Sequence, residues 1–157
     1  MPGIVETARQ HRLFGIDTSI FIYHFEGRTD LAHIASAVIN ELETGTLTGV
    51  TSIITVAELL VRPLQLGNSG VAAAYQATLE SLPGLELAVV DRQVALLAAQ
   101  VRADHGLHIA DAIHVASSLN RGATAFLTND RRLRRINELD VLLLDDFRNQ
   151  EPGSTQP

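Results

Sequence analysis

"RLFGIDTSIFIY", residues 12–23, sets two apolar runs, 13–16 and 20–22, around one charge, Asp17, and two hydroxyls, Thr18 and Ser19. An ionised carboxylate costs several kcal/mol to bury without partners. A short apolar run that stops at such a group reads as a buried strand. The strand delivers Asp17 at its C-terminal end, and a helix begins directly behind it. Something must then compensate the charge of Asp17.

The same alternation recurs along the chain. Strands are expected over 13–17, 47–51, 85–90, 124–128 and 141–144, and helices over 19–26, 30–43, 52–61, 69–82, 91–105, 108–120 and 130–137. Punctuation sets these bounds. Gly27, Gly45 and Gly106 follow helices, Asp30 and Asp91 stand at N-cap positions, and Pro63, Pro83 and Gly84 act as stops. Strands separated by helices need crossover connections. The expected fold class is therefore α/β, three layers with a mainly parallel central sheet and helices on both faces. The 157 residues suit one domain, 1–147, with a polar tail, 148–157, expected to be disordered.

Composition narrows the chemistry. The chain is 46% hydrophobic and 19% charged, which fits a globular domain. Aromatic residues make up only 4%, too few for base stacking to be the main mode of binding. The absence of cysteine excludes disulfides and thiolate metal sites, and a cytoplasmic location is expected. No signal-peptide h-region and no membrane-length apolar stretch is visible, so no membrane role is expected. The net charge is −6, whereas a general nucleic-acid binder is usually basic. Any nucleic-acid contact must then be local or bridged by metal ions. All twelve basic residues are arginine, which excludes lysine chemistry.

In open parallel sheets, ligands gather beyond the C-terminal ends of the strands. Asp17 falls there, and Asp130 follows the strand 124–128 in the same relative place. Glu58 lies in the helix after the strand 47–51, among the apolar residues of "SIITVAELLV", 52–61. Asp111 lies in the first turn of "HIADAIHVASSL", 108–119. Singly, Asp17 and Asp130 could cap helices and Asp111 could complement a helix dipole. Glu58 has no such explanation, because Glu is rarely buried unpaired. Together, four converging carboxylates would repel, and a hard divalent cation such as Mg²⁺ or Mn²⁺ resolves the repulsion with oxygen ligands.

In order, "IDTSIFIYHFEG", "TSIITVAELL", "HIADAIHVASSL" and "FLTNDRRL" resemble the four acidic motifs of PIN-domain ribonucleases, especially VapC-type toxins of bacterial toxin–antitoxin pairs. The resemblance spans 13–146 and implies a PIN-like fold. It also implies Mg²⁺- or Mn²⁺-dependent hydrolysis of RNA phosphodiester bonds to a 5′-phosphate and a 3′-hydroxyl. Residue by residue, it makes Asp17, Glu58, Asp111 and Asp130 the catalytic acids, with Asp17, Asp111 and Asp130 as metal ligands. Ser19 resembles the hydroxyl that fixes a site carboxylate, and Thr128 and Asn129 are expected to buttress Asp130. An antitoxin and a second copy of the chain are the implied protein partners, and RNA the implied substrate. An extension precedes the first strand and is longer than such proteins usually carry.

Other candidates remain. His105, His108 and His114 cluster in sequence. His108, three before Asp111, is a candidate general base, and helix-end or surface roles are expected for most of the histidines. "RRLRR", 131–135, is either a solvated face near Glu138 and Asp140 or a phosphate clamp led by Arg131 and Arg132. Asp145 and Asp146 read as a solvated chain end. A haloacid-dehalogenase-type phosphatase also starts from a strand-end Asp. It needs a second Asp where Ser19 stands, and a lysine that this chain lacks. Within the resemblance, the alternatives are a PIN-domain RNA-processing nuclease without an antitoxin and a non-catalytic PIN-like module that only binds partners. Finally, Ile20, Phe21, Tyr23, Phe25, Leu31, Ile34, Val38 and Leu42 cover more than one helical face, so part of that surface is expected to meet a partner.

Overall fold

The structure, a computed structural model, describes residues 1–150. Its elements in chain order are α1 (Ile4–Ala8), β1 (Phe14–Ile16), α2 (Thr18–Glu26), α3 (Ala32–Thr44), β2 (Gly49–Ser52), α4 (Ile54–Gln65), α5 (Ser69–Ser81), β3 (Leu85–Ala88), α6 (Arg92–His105), α7 (Ile109–Asn120), β4 (Ala125–Thr128) and β5 (Asp140–Leu143). Two 3-10 helices, Arg131–Arg135 and Leu144–Phe147, flank β5.

The five strands form one parallel sheet in the order β3-β2-β1-β4-β5. The chain builds outward from β1 to β3, then returns to the other side of β1 as β4. The strand order therefore switches direction between β1 and β4, and the region beyond the C-terminal ends at such a point is where open parallel sheets bind ligands. Asp17 and Asp130 both lie at that edge. The amide of Asp17 extends the ladder by donating to the carbonyl of Leu127 at 2.9 Å.

Alternation along β1 assigns its faces. Phe14 and Ile16 are fully buried in one core with Ile20 and Phe21 of α2 and Val38 and Leu42 of α3. Gly15 points to the other face, where α7 crosses. A Cβ there would lie 2.7 Å from the Cβ of Ser118 and 2.7 Å from a ring carbon of Phe126. Only glycine lets α7 lie this close to β1. The second core joins Val50, Phe126 and Ala88 of the sheet to Val94 and Ala98 of α6 and Val115 of α7.

Several expectations are corrected. Pro63 does not stop its helix but sits inside α4, buried. The ring removes one amide donor, yet hydrogen bonding resumes where the Leu66 amide donates to the Arg62 carbonyl at 3.1 Å. Asp30 does not cap α3. The core anchors Leu31 at the N-cap position, and Asp30 is left outside, ion-paired with Arg148. The apolar residues of α2 and α3 do not form an open face. Ile20, Phe21, Leu31, Ile34, Val38 and Leu42 are buried within the chain, and Tyr23 and Phe25 are packed against them. The extension before β1 is structured as α1, which buries Ile4 and Ala8 in the same core. At the other end, Arg148 pairs with Asp145 and Asp30, and the rest of the expected tail, 151–157, lies outside the described residues. No helix among the described residues is long and apolar enough to cross a membrane.

Candidate active site

Asp17 occupies the N-cap position of α2, but its side chain caps nothing. Its Oδ2 accepts hydrogen bonds from Ser19 at 3.1 Å and from Thr128 at 2.8 Å. These two hydroxyls hold the carboxylate at the C-terminal edge of the sheet, half-buried rather than sunk in the core. Thr128 serves twice, since its Oγ1 also accepts from the amide of Asp130 at 3.1 Å. Asn129 turns elsewhere, accepting from the amide of Asp145 at 3.0 Å and donating to the Tyr23 hydroxyl at 3.5 Å. It ties the Leu144–Phe147 turn to α2 and does not buttress Asp130.

Asp111 enters from the first turn of α7, which Gly15 allows to lie over β1. Burial pushes its carboxyl above the ordinary carboxylate range, and the charges of Asp17 and Asp130 push it further. Three carboxylates from three elements thus sense one another at the switch point. Asp130 caps the following 3-10 helix through the Arg132 amide, and its carboxylate also holds the Arg132 guanidinium at 2.6 Å. That bond keeps the Asp130 carboxyl below its usual range. Arg132 also reaches within 4.0 Å of Asp111, so an internal cation spans two of the acids. Arg131 and Arg134 pair with Asp145 and Asp146. The "RRLRR" stretch is therefore ion-paired to the segment after β5, and Asp145 and Asp146 are its partners rather than a free chain end.

Glu58 stands on α4 at the boundary, not in the core; its side chain is 41% exposed. Its Oε1 accepts from His114 Nε2 at 2.5 Å and from Thr18 Oγ1 at 2.9 Å. The His114 bond holds the Glu58 carboxyl below its usual range although burial opposes it. His114, 2% exposed, is the opposite of a surface histidine. His108 is exposed at the N-cap position of α7, three residues before Asp111, and its side chain makes no capping hydrogen bond. His105 pairs with Glu138 at 2.8 Å.

As placed, these side chains are not a ready-made cage. Among the described residues no three His, Asp or Glu side chains group closely enough to hold a metal ion. The donor set nonetheless fits a hard divalent cation, because it is all oxygen, and burial with the nearby charges of Asp17 and Asp130 disfavours an uncompensated charge on Asp111. Asp17, Asp111 and Asp130 are the groups that could hold one, with Asp130 released from Arg132. Concavity alone points elsewhere. A groove of about 960 Å³ between α1 and α3, lined by Ile4, Val5, Ile34 and Phe147 among others, contains none of the four acids.

The PIN domain family matches residues 15–139, from the middle of β1 to the start of β5 and across all four acids. The chain belongs to the PIN-domain family. Solved structures similar to this PIN domain include a toxin–antitoxin complex from Klebsiella pneumoniae, at 21% identity and a TM-score of 0.60, covering 84% of this chain and 96% of that one. They also include VapBC2 from Rickettsia felis bound to a DNA fragment from its promoter, at 20% identity and a TM-score of 0.60, covering 83% and 98%. DNA-bound VapBC from Salmonella typhimurium is similar at 19% identity and a TM-score of 0.58, covering 85% and 98%. At such identities the likeness is one of fold. A comparison with curated protein sequences finds no match.

Sequence reasoning missed Thr18 and His114. Both stand beside motif acids, Thr18 next to Asp17 and His114 one turn after Asp111, but nothing in the pattern said that their polar atoms would meet Glu58.

Proposed function

We propose that this PIN domain is a divalent-metal-dependent endoribonuclease, using Mg²⁺ or Mn²⁺, and acts as the cytoplasmic toxin of a toxin–antitoxin pair. The observation that carries the reading is the convergence of three carboxylates at the switch point: Thr128 ties Asp17 to the Asp130 amide, and Arg132 spans Asp130 and Asp111. A protein has little reason to keep such repulsion unless a cation relieves it. A divalent ion bound there supplies Lewis acidity and lowers the pKa of a bound water. Asp17 and Asp111, together with Asp130, would hold the cation, and Ser19 and Thr128 fix the rotamer of Asp17. Glu58 completes the acidic rim. Arg132, and beside it Arg131, offer guanidinium groups to RNA phosphate once Asp130 turns to the metal. Similarity of fold to toxin–antitoxin complexes supports an antitoxin as protein partner; a second copy of the chain is part of the proposal on the family resemblance alone.

The test is degradation of RNA with Mg²⁺ or Mn²⁺, with and without EDTA. Asp17→Asn and Asp111→Asn should each fold and lose nearly all cleavage. A variant that cuts at the wild-type rate refutes the site. A second reading, a partner-binding module without turnover, is favoured by the Asp130–Arg132 pair, which occupies the acids without any metal. Wild-type protein that binds its antitoxin but leaves RNA intact at every metal concentration would establish that second reading.

A further inference from the structure

We infer that His114 and Thr18 are positioning residues that clamp the Glu58 carboxylate at the rim of the acidic site. The inference rests on the nuclease reading for its purpose, but its geometry stands on its own contacts. His114 Nε2 lies 2.5 Å from Glu58 Oε1, Thr18 Oγ1 lies 2.9 Å from the same oxygen, and the two donors are 3.2 Å apart. Two elements, α7 and the start of α2, therefore converge on one carboxylate oxygen carried by α4.

The hydrogens can be counted. A carboxylate only accepts, so Nε2 carries the hydrogen in the His114–Glu58 contact. Thr51 Oγ1 donates to the Ile16 carbonyl at 2.8 Å, and Thr55 Oγ1 lies 2.7 Å from Thr51 and 3.0 Å from Thr18. Three hydroxyls serve four contacts, Thr18 to Glu58 included. The threonine chain is thus one hydrogen short, and His114 is the donor to Glu58 that does not depend on how those hydroxyls rotate.

The same count shows a cost. His114 is buried, and its Nδ1 is among the described buried side-chain atoms that have no partner. A leucine would fill this place in the core without leaving a polar atom unpaired. A histidine kept at such a position is explained by its other nitrogen, which fixes a half-exposed glutamate that would otherwise sample many rotamers. His114 also lies one turn from Asp111 on α7, so the helix that carries one acid orients another. Groups that orient a site's carboxylates typically change metal affinity or activity by about 10- to 100-fold when removed.

The experiment compares His114→Leu, His114→Gln and wild-type full-length protein. In metal-free protein, His114 should give a slowly exchanging Nε2–H proton signal, far downfield, that moves upfield in Glu58→Gln. His114→Leu should fold with a melting temperature no lower than wild type, yet cleave RNA about 10- to 100-fold more slowly, chiefly through kcat. His114→Gln, whose Nε2 donor can reach the same oxygen, should recover most of that loss. An Nε2–H signal indifferent to Glu58→Gln overturns the inference, and so does a Leu variant with wild-type cleavage or a Gln variant no better than Leu. If the signal behaves as expected but wild-type protein neither binds Mn²⁺ nor cuts RNA, the nuclease reading fails and the clamp on Glu58 is upheld.

Discussion

At the residue scale, Asp111 links electrostatics to stability. Its folded-state pKa is raised, by burial first and then by Asp17 and Asp130. Between the unfolded value, about 4, and the raised folded value, the folded protein binds more protons than the unfolded chain. Stability of the metal-free protein therefore falls as pH rises through that window and stays lowered above it. Asp111→Asn should raise the melting temperature at pH 7 by up to about 2–4 °C, and solvent screening of the half-buried group keeps the gain below about 1 kcal/mol. The gain should vanish below about pH 4, where Asp111 is protonated in both states. Calorimetry of both proteins across pH without metal checks the sign. Arg132 gives a second expectation. Its guanidinium spans Asp130 and Asp111, and its side chain is 58% exposed. Arg132→Gln should tighten Mn²⁺ binding about two- to fivefold, the scale of an exposed ion pair. Equal or weaker binding by titration calorimetry rules out competition between Arg132 and the metal. The placement of Asp17 was legible because its strand, its charge and its hydroxyl neighbour are adjacent in sequence. The pairing of Glu58 with His114 was not, because 56 residues separate them and only packing reveals that His114 is buried.

At the element scale, the site depends on how closely α7 lies over β1. Gly15→Ala would place a methyl group 2.7 Å from Ser118 Cβ and Phe126. The helix or the strand would have to shift, at a cost of about 3 kcal/mol, which lowers the melting temperature by about 6–12 °C. The same shift would move Asp111 relative to Asp17, so metal affinity should fall as well. Loss of stability with unchanged Mn²⁺ affinity would sever that link. The strands were legible because each is a short apolar run framed by turn residues, and all five lie within two residues of where the pattern put them. Helix termini were less so. Pro63 reads as a stop only if the helix has no reason to continue, and burial of its ring supplies that reason. The five residues of α1 are too few for periodicity to mark, and they form because Ile4 and Ala8 find a core built by later residues.

At the scale of the whole molecule, a cation that binds only the folded protein stabilises it by mass action. At about a hundredfold excess over Kd the gain is about 2.7 kcal/mol, or about 5–10 °C in melting temperature. Thermal denaturation with millimolar Mn²⁺ should show it, and Asp17→Asn should blunt it. A melting curve unchanged by Mn²⁺ would remove the metal from the account. The layers and the parallel sheet were legible because alternating strands and helices leave few arrangements, but the strand order was not read from the sequence. The internal covering of α2 and α3 was not, because a wide apolar surface on paired helices looks the same whether the sheet or a partner protein fills it.

The central strand is also the first one made. β1 and Asp17 are made before the other four strands, yet the neighbour on one side of β1 is β4, and Thr128, which grips Asp17, follows 111 residues later. At about 5–20 residues per second, that interval is roughly 6–22 s of translation. Throughout it Asp17 has neither β4 beside it nor Asp130 near it, and an unfinished chain has no assembled site. On the proposed nuclease reading, a nascent polypeptide that has not reached β4 cannot cut the messenger that encodes it. On that reading, cleavage can begin only after β4 and Asp130 have been made.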